Sequence, residues 1–183
     1  MGEILNPEAK IAAFKHHANF TSFDIKRDLL VIGSAADAID LHPIVPYLPQ
    51  VDSIYMVGDQ YHPSLKQSAE QILNTHQYNG QLVIKQRTPF QSVEGVFNNI
   101  IFFGADPGFV GHGHYSQITK MLKVSGMFYG TYDKRDSAKP FINQNGFTFK
   151  DFPNIARHPD YQWINWHGLT IKRNENIFLS WFT

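Results

Sequence analysis

Two histidines, His112 and His114, flank Gly113 in the stretch GADPGFVGHGHYS that runs from Gly104 to Ser116. An imidazole titrates near neutral pH, so either one is a candidate general base for taking a proton from a hydroxyl group. His-x-His is also half of a metal site, but no carboxylate or third histidine stands at ligand spacing to complete it. Tyr115 beside them either stacks on a substrate or opens a helix. A second suggestive stretch is DLLVIGSAADAIDLHP, Asp28 to Pro43. Gly33 closes its apolar run, and glycine there lets the backbone take positive φ and come close to a ligand, while Ser34, Ala35 and Ala36 are small enough to leave room. A dinucleotide needs the fuller G-x-G-x-x-G turn for its pyrophosphate, so a lone glycine counts against one. The third candidate is Asp59 in YMVGDQYHP. A carboxylate at a strand end can accept hydrogen bonds from both hydroxyls of a ribose, or it can cap the helix that follows.

These groups need a scaffold, and the chain bounds what that scaffold can be. Its 183 residues suffice for one domain with a substantial core and fall short of two with a linker. Hydrophobic residues make up 43% and aromatics 14%, which separates the chain from disordered sequences. The 16 basic and 16 acidic residues cancel, so no long-range field gathers phosphates or anionic lipid, and nucleic acid is unsupported as a partner. Without cysteine there is no disulfide framework, thiolate metal site or cysteine nucleophile. The opening MGEILNPEAK lacks the layout of a signal peptide, and no apolar run approaches the ~18 residues of a membrane span. A cytoplasmic protein is expected.

Four runs of continuous apolar residues, Leu29 to Ile32, Ser53 to Val57, Gln81 to Ile84 and Asn99 to Phe103, have the length of strands covered on both faces. A fifth, GMFYGT, spans Gly126 to Thr131. Helices are predicted over 7–18, over 35–47 with Pro43 and Pro46 interrupting, over 63–76 with Leu65, Ala69, Ile72 and Leu73 on one stripe, over 115–124, and over 137–145 before Gly146. Strands alternating with helices imply crossover units and a parallel sheet. The last forty or so residues change character: FTFKDF, WINWHGLTIKR, a NEN turn and IFLSWFT read as antiparallel strands added to one edge. The predicted fold is α/β, a three-layer Rossmann-like domain with a mostly parallel sheet. A single domain over 1–183 is expected, with an N-terminal helix over 7–18, a parallel core over 28–136 and antiparallel strands over 146–183. Trp163, Trp166, Phe178, Trp181 and Phe182 either pack in the core or line a homodimer interface at the edge.

This layout resembles the class I S-adenosylmethionine-dependent methyltransferases. LLVIGSAAD is similar to the family's first motif, Asp59 with Pro63, Leu65 and Ala69 to its second, and ITKMLKVSGMFYGTYD to the segment leading into the fifth strand. The resemblance implies S-adenosylmethionine as cofactor, held by Gly33, Ser34, Ala35, Asp59, Thr88 and Gly104. Where the family often carries an acid after the third strand to meet the adenine amino group, this chain has KQRTPFQ, with Arg87 and Thr88. Asp106-Pro107-Gly108-Phe109 is similar to the Asp/Asn-Pro-Pro-aromatic motif of amino-group methyltransferases, with Gly108 in place of the second proline. The resemblance makes Asp106, with His112 or His114, the residues that face the acceptor, and methyl transfer to nitrogen or oxygen of a small molecule the expected reaction. Two rivals stand beside it. One is a binding or oligomeric protein that keeps the fold without the donor site; the other is a nicotinamide-dependent oxidoreductase whose Asp59 serves an NAD ribose.

Overall fold

The computed structural model describes residues 24–33, 36–89, 92–102, 112–133, 146–157 and 165–175. The helices expected over 7–18 and 137–145, and a strand in IFLSWFT, lie outside the described residues. One 7-stranded sheet organises the rest: β1 (Arg27–Ile32), β2 (Val51–Val57), β3 (Gln81–Lys85), β4 (Phe97–Phe102), β5 (Leu122–Asp133), β6 (Phe147–Arg157) and β7 (Asn165–Arg173), in the order β3-β2-β1-β4-β5-β7-β6. Strands β1 to β5 pair in parallel. Strand β7 is antiparallel to both β5 and β6, so it alone is reversed and β6 runs with the core.

Alternation along β1 divides the core between the two faces of the sheet, as it must where side chains have a period of two. Leu29 and Val31 join Ala38, Leu41, Ile44 and the helix α1 (Leu65–Thr75) on one face; Leu30 and Ile32 join Ile118, Met121 and Phe128 on the other, where helix α2 (His112–Lys120) packs. Three layers result. Leu65, Ala69 and Leu73, four residues apart, are the buried stripe of α1, and each leucine contributes roughly 1.5–3 kcal/mol by leaving water. Among the described residues no helix is long and apolar enough to cross a membrane.

The segment expected as an interrupted α-helix over 35–47 is instead a 3-10 helix, Ala36–Gln50. Its prolines, Pro43, Pro46 and Pro49, would each remove a hydrogen bond from an α-helix interior and clash with the preceding turn. The buried residues Ala38, Leu41 and Ile44 repeat every three positions, the turn length of a 3-10 helix. Ala38, Leu41 and Ile44 thus form one row and the three prolines another, with the buried Asp40 at the head of the proline row.

Helix α1 ends in a Schellman motif. Gln77, at φ 56, takes the left-handed position usually held by glycine; its N–H donates to Asn74 O at 3.1 Å, and the Tyr78 N–H donates to Leu73 O at 2.9 Å.

Helix α2 stops at Lys120, and Leu122 to Val124, expected to continue a helix over 115–124, already belong to β5. The cause is tertiary. Phe97 N–H donates to Met121 O at 2.7 Å and Phe97 pairs with Leu122, which draws the chain into the sheet. The pairing then jumps from Phe97↔Leu122 to Asn99↔Met127, leaving an irregular stretch with Ser125 at φ 64. Gly126 must lack a side chain there, because a Cβ would lie 2.8 Å from Lys123 O and 2.9 Å from Asn98 O. The irregularity places Lys123 Nζ at 2.5 Å from Asp28 Oδ2, while Ser53 Oγ donates to Asp28 Oδ1 at 2.8 Å. Beside it the buried Asn99 accepts from Lys26 N–H at 3.0 Å and donates to Met127 O at 3.3 Å, joining the entry of β1 to β5.

Candidate functional site

In an open parallel sheet the ligand crevice lies beyond the carboxyl ends of the strands, where the strand order reverses. Strand β1 has β2 on one side and β4 on the other, so the reversal falls at the tip of β1. Gly33 is that tip. Its φ of 76 is a backbone state open to glycine, and a Cβ added there would meet no described atom within 4 Å. Among the described residues nothing covers the outer side of the tip, and its inner side is fastened where the Gly33 N–H donates to Val57 O at 2.8 Å.

The neighbouring tips are tied in series. Gly58 N–H donates to Lys85 O at 3.1 Å, and Thr88 N–H donates back to Gly58 O at 2.9 Å. Asp59 follows Gly58 at the end of β2; its side chain is exposed, and no described residue hydrogen-bonds its carboxylate. The alternative that Asp59 caps the next helix is corrected here: the N-cap of α1 is Ser64, at φ −87. An exposed carboxylate with no partner among the described residues, one strand over from Gly33, is suited to accept hydrogen bonds from a sugar.

Thr88 has its donors committed, the N–H to Gly58 and the hydroxyl to Gln86 O at 3.0 Å, so it fixes the loop rather than offering protons. His112 and His114 lie in the first turn of α2, not in a loop. Ser34, Ala35, Gly104 and Asp106 lie outside the described residues.

The structure also brings together residues that spacing alone does not connect. The Arg87 guanidinium lies over the Tyr61 ring at 4.8 Å from its centroid, and Tyr61 is 53% exposed. His62 N–H donates to Gln86 Oε1 at 2.6 Å, clamping the loop after β2 to the loop after β3. Farther in, Lys85 Nζ sits 5.7 Å from the Tyr55 ring centroid, and hydrogen bonding with Tyr55 raises the lysine pKa. The only sequence signal for this group is the basic pair Lys85 and Arg87 where an acid was expected.

A separate concavity of about 600 Å³ lies at the amino ends of β2 and β3, the pole opposite Gly33, lined by Leu48, Val51, Asp52, His76, Tyr78 and Gly80 among others. Burial, then the charges of Asp52 and Asp28, push the Tyr78 phenol up to about 12, and its hydroxyl donates to Gln81 O at 3.1 Å.

No protein-family model and no curated protein sequence matches the chain. Solved structures do. A rRNA methylase from Streptococcus thermophilus is 11% identical with a TM-score of 0.56, covering 93% of this chain and 98% of its own. The StiE O-MT is 13% identical with a TM-score of 0.62, over 92% of this chain and 74% of that one. The plantazolicin methyltransferase BpumL, solved with SAH, is 11% identical with a TM-score of 0.58, over 92% and 84%. With the strand order and the reversed β7, these likenesses show that the chain has the Rossmann-like fold of the class I S-adenosylmethionine-dependent methyltransferases.

Proposed function

We propose that the chain is an S-adenosylmethionine-dependent methyltransferase acting on nitrogen or oxygen of a small molecule, as a single cytoplasmic domain over 1–183. The observation that carries this reading is the Gly33 tip, uncovered by any described residue, with the exposed Asp59 carboxylate, which no described residue hydrogen-bonds, on the adjoining strand. The pair fits a nucleoside lying across the strand ends, and the resemblance to a methyltransferase solved with SAH favours the same donor here. A dinucleotide fits less well: its pyrophosphate needs the amino end of an α-helix, and Gly33 is followed by a 3-10 helix with three prolines. The zero net charge favours a small acceptor over nucleic acid.

Bound, the donor supplies a sulfonium methyl group for in-line displacement, so the protein mainly has to align and desolvate the partners. Gly33, Ser34, Ala35 and Gly104 would border the donor, Asp59 would hold the ribose hydroxyls, and Thr88 would fix the loop beside it. Asp106 would hold an amine acceptor, and His112 or His114 would take the proton that the nucleophile gives up. The edge aromatics Trp163, Trp166, Phe178, Trp181 and Phe182 would serve a homodimer if one forms.

Calorimetry with S-adenosylmethionine and S-adenosylhomocysteine tests the reading. Binding is expected, weakening at least about tenfold in Asp59→Ala through loss of charge-assisted bonds. Absence of binding up to millimolar ligand overturns it.

A further inference from the structure

Successive strands of a sheet lie ~4.8 Å apart, so the tips of β1, β2 and β3 form a row of three steps. If the donor lies as proposed above, its sulfonium end sits at Gly33, its ribose at Asp59, and its base at the tip of β3. The residue waiting there is Arg87. Arginine carries five N–H donors and no acceptor. Thr88, next to it, has both its N–H and its hydroxyl proton engaged within the loops. Arg87 itself is held at φ 52, a left-handed conformation that arginine rarely adopts, and the bonds at Gln86 and Thr88 on either side hold the loop in place. Its guanidinium lies over exposed Tyr61, and Arg87 is itself exposed to solvent.

From this geometry we propose that Arg87 turns the base subsite toward hydrogen-bond acceptors in preference to an exocyclic amine. A guanidinium offers two parallel donors that match the O6 and N7 acceptors of a 6-oxopurine, while the 6-amino group of adenine meets a donor of its own kind. Arg87 meets that edge in the plane of the base, backed by the Tyr61 ring beneath its guanidinium, and so sets which edge is accepted. A 6-oxopurine nucleoside therefore binds at least as tightly as the 6-aminopurine one.

The inference rests on the proposed donor site, and one pair of ligands separates the two. Calorimetry compares S-adenosylhomocysteine with S-inosylhomocysteine, which differs by a 6-oxo group in place of the 6-amino group. Wild-type protein is expected to bind the inosyl compound equally or more tightly. Arg87→Asp supplies an acceptor and tolerates positive φ, so it should shift the preference toward the adenosyl compound by about tenfold or more. Arg87→Asn, equally suited to the backbone, should shift it in the same direction. A wild-type preference for the adenosyl ligand, or an unchanged ratio in both folded variants, overturns the assignment to Arg87 and leaves the donor site standing. If neither ligand binds, the donor site itself fails, and this inference with it.

Discussion

Lys123 Nζ lies 2.5 Å from Asp28 Oδ2, joining the irregular start of β5 to the start of β1 across the intervening β4. The hydrogen bond from Lys123 is the largest cause of a lowered Asp28 pKa, with that of Ser53 adding to it and desolvation opposing both. A carboxylate whose folded value lies below its ordinary 3.8 stabilises the native state above that pH, and the contribution is lost as pH falls through the folded value. Both side chains are about a third exposed, so solvent screening limits the pair to about 1 kcal/mol. Lys123→Met is therefore expected to lose about 1 kcal/mol in urea unfolding at pH 7. The gap from wild type should close below pH 3.8 and narrow in high salt; a gap constant across pH would show that the lysine acts through packing alone.

Gly33→Ala separates backbone strain from steric clash. A Cβ at this position meets no described atom within 4 Å, so the folding cost is that of holding alanine at φ 76, about 1–2 kcal/mol. The same methyl group would stand on the surface across which the donor is proposed to lie. Affinity for S-adenosylhomocysteine should fall further than the change in stability explains, as measured by calorimetry on protein shown to be folded by circular dichroism.

Gln77→Gly should stabilise the protein. Gln77 occupies the left-handed position of the Schellman motif that ends α1, where glycine adopts φ 56 without steric cost. Glycine's greater freedom in the unfolded chain offsets part of this, leaving a net gain of about 0.5–1 kcal/mol. Urea midpoints measure it, and Gln77→Val, β-branched at positive φ, should move the other way.

The parallel core could be read directly because strands buried on both faces are continuous apolar runs, and Leu29 to Ile32 or Ser53 to Val57 resemble little else. The stripe Leu65, Ala69, Leu73 gave α1 in the same way. Where two periods compete, local pattern was insufficient. Residues 36–50 carry enough apolar residues for an α-helix, and only the matching three-residue spacing of the prolines and of Ala38, Leu41 and Ile44 distinguishes the 3-10 form. The segment from Leu122 to Val124 follows the α2 pattern until pairing with β4 claims it. At the site, Gly33 and Asp59 were legible as types of residue at the ends of strands. The layer of Tyr61 and Arg87 was not, since it exists only once parallel pairing sets the β2 and β3 tips side by side.

The reversed β7 also orders assembly in time. Strand β6 is made first but, among the described residues, pairs with the sheet only through β7, so residues 147–157 find their place once 165–173 have docked along β5. Strands β6 and β7 therefore attach as one flap, late and at long sequence separation from β5, which makes this edge a natural slow step of folding and an early one of unfolding.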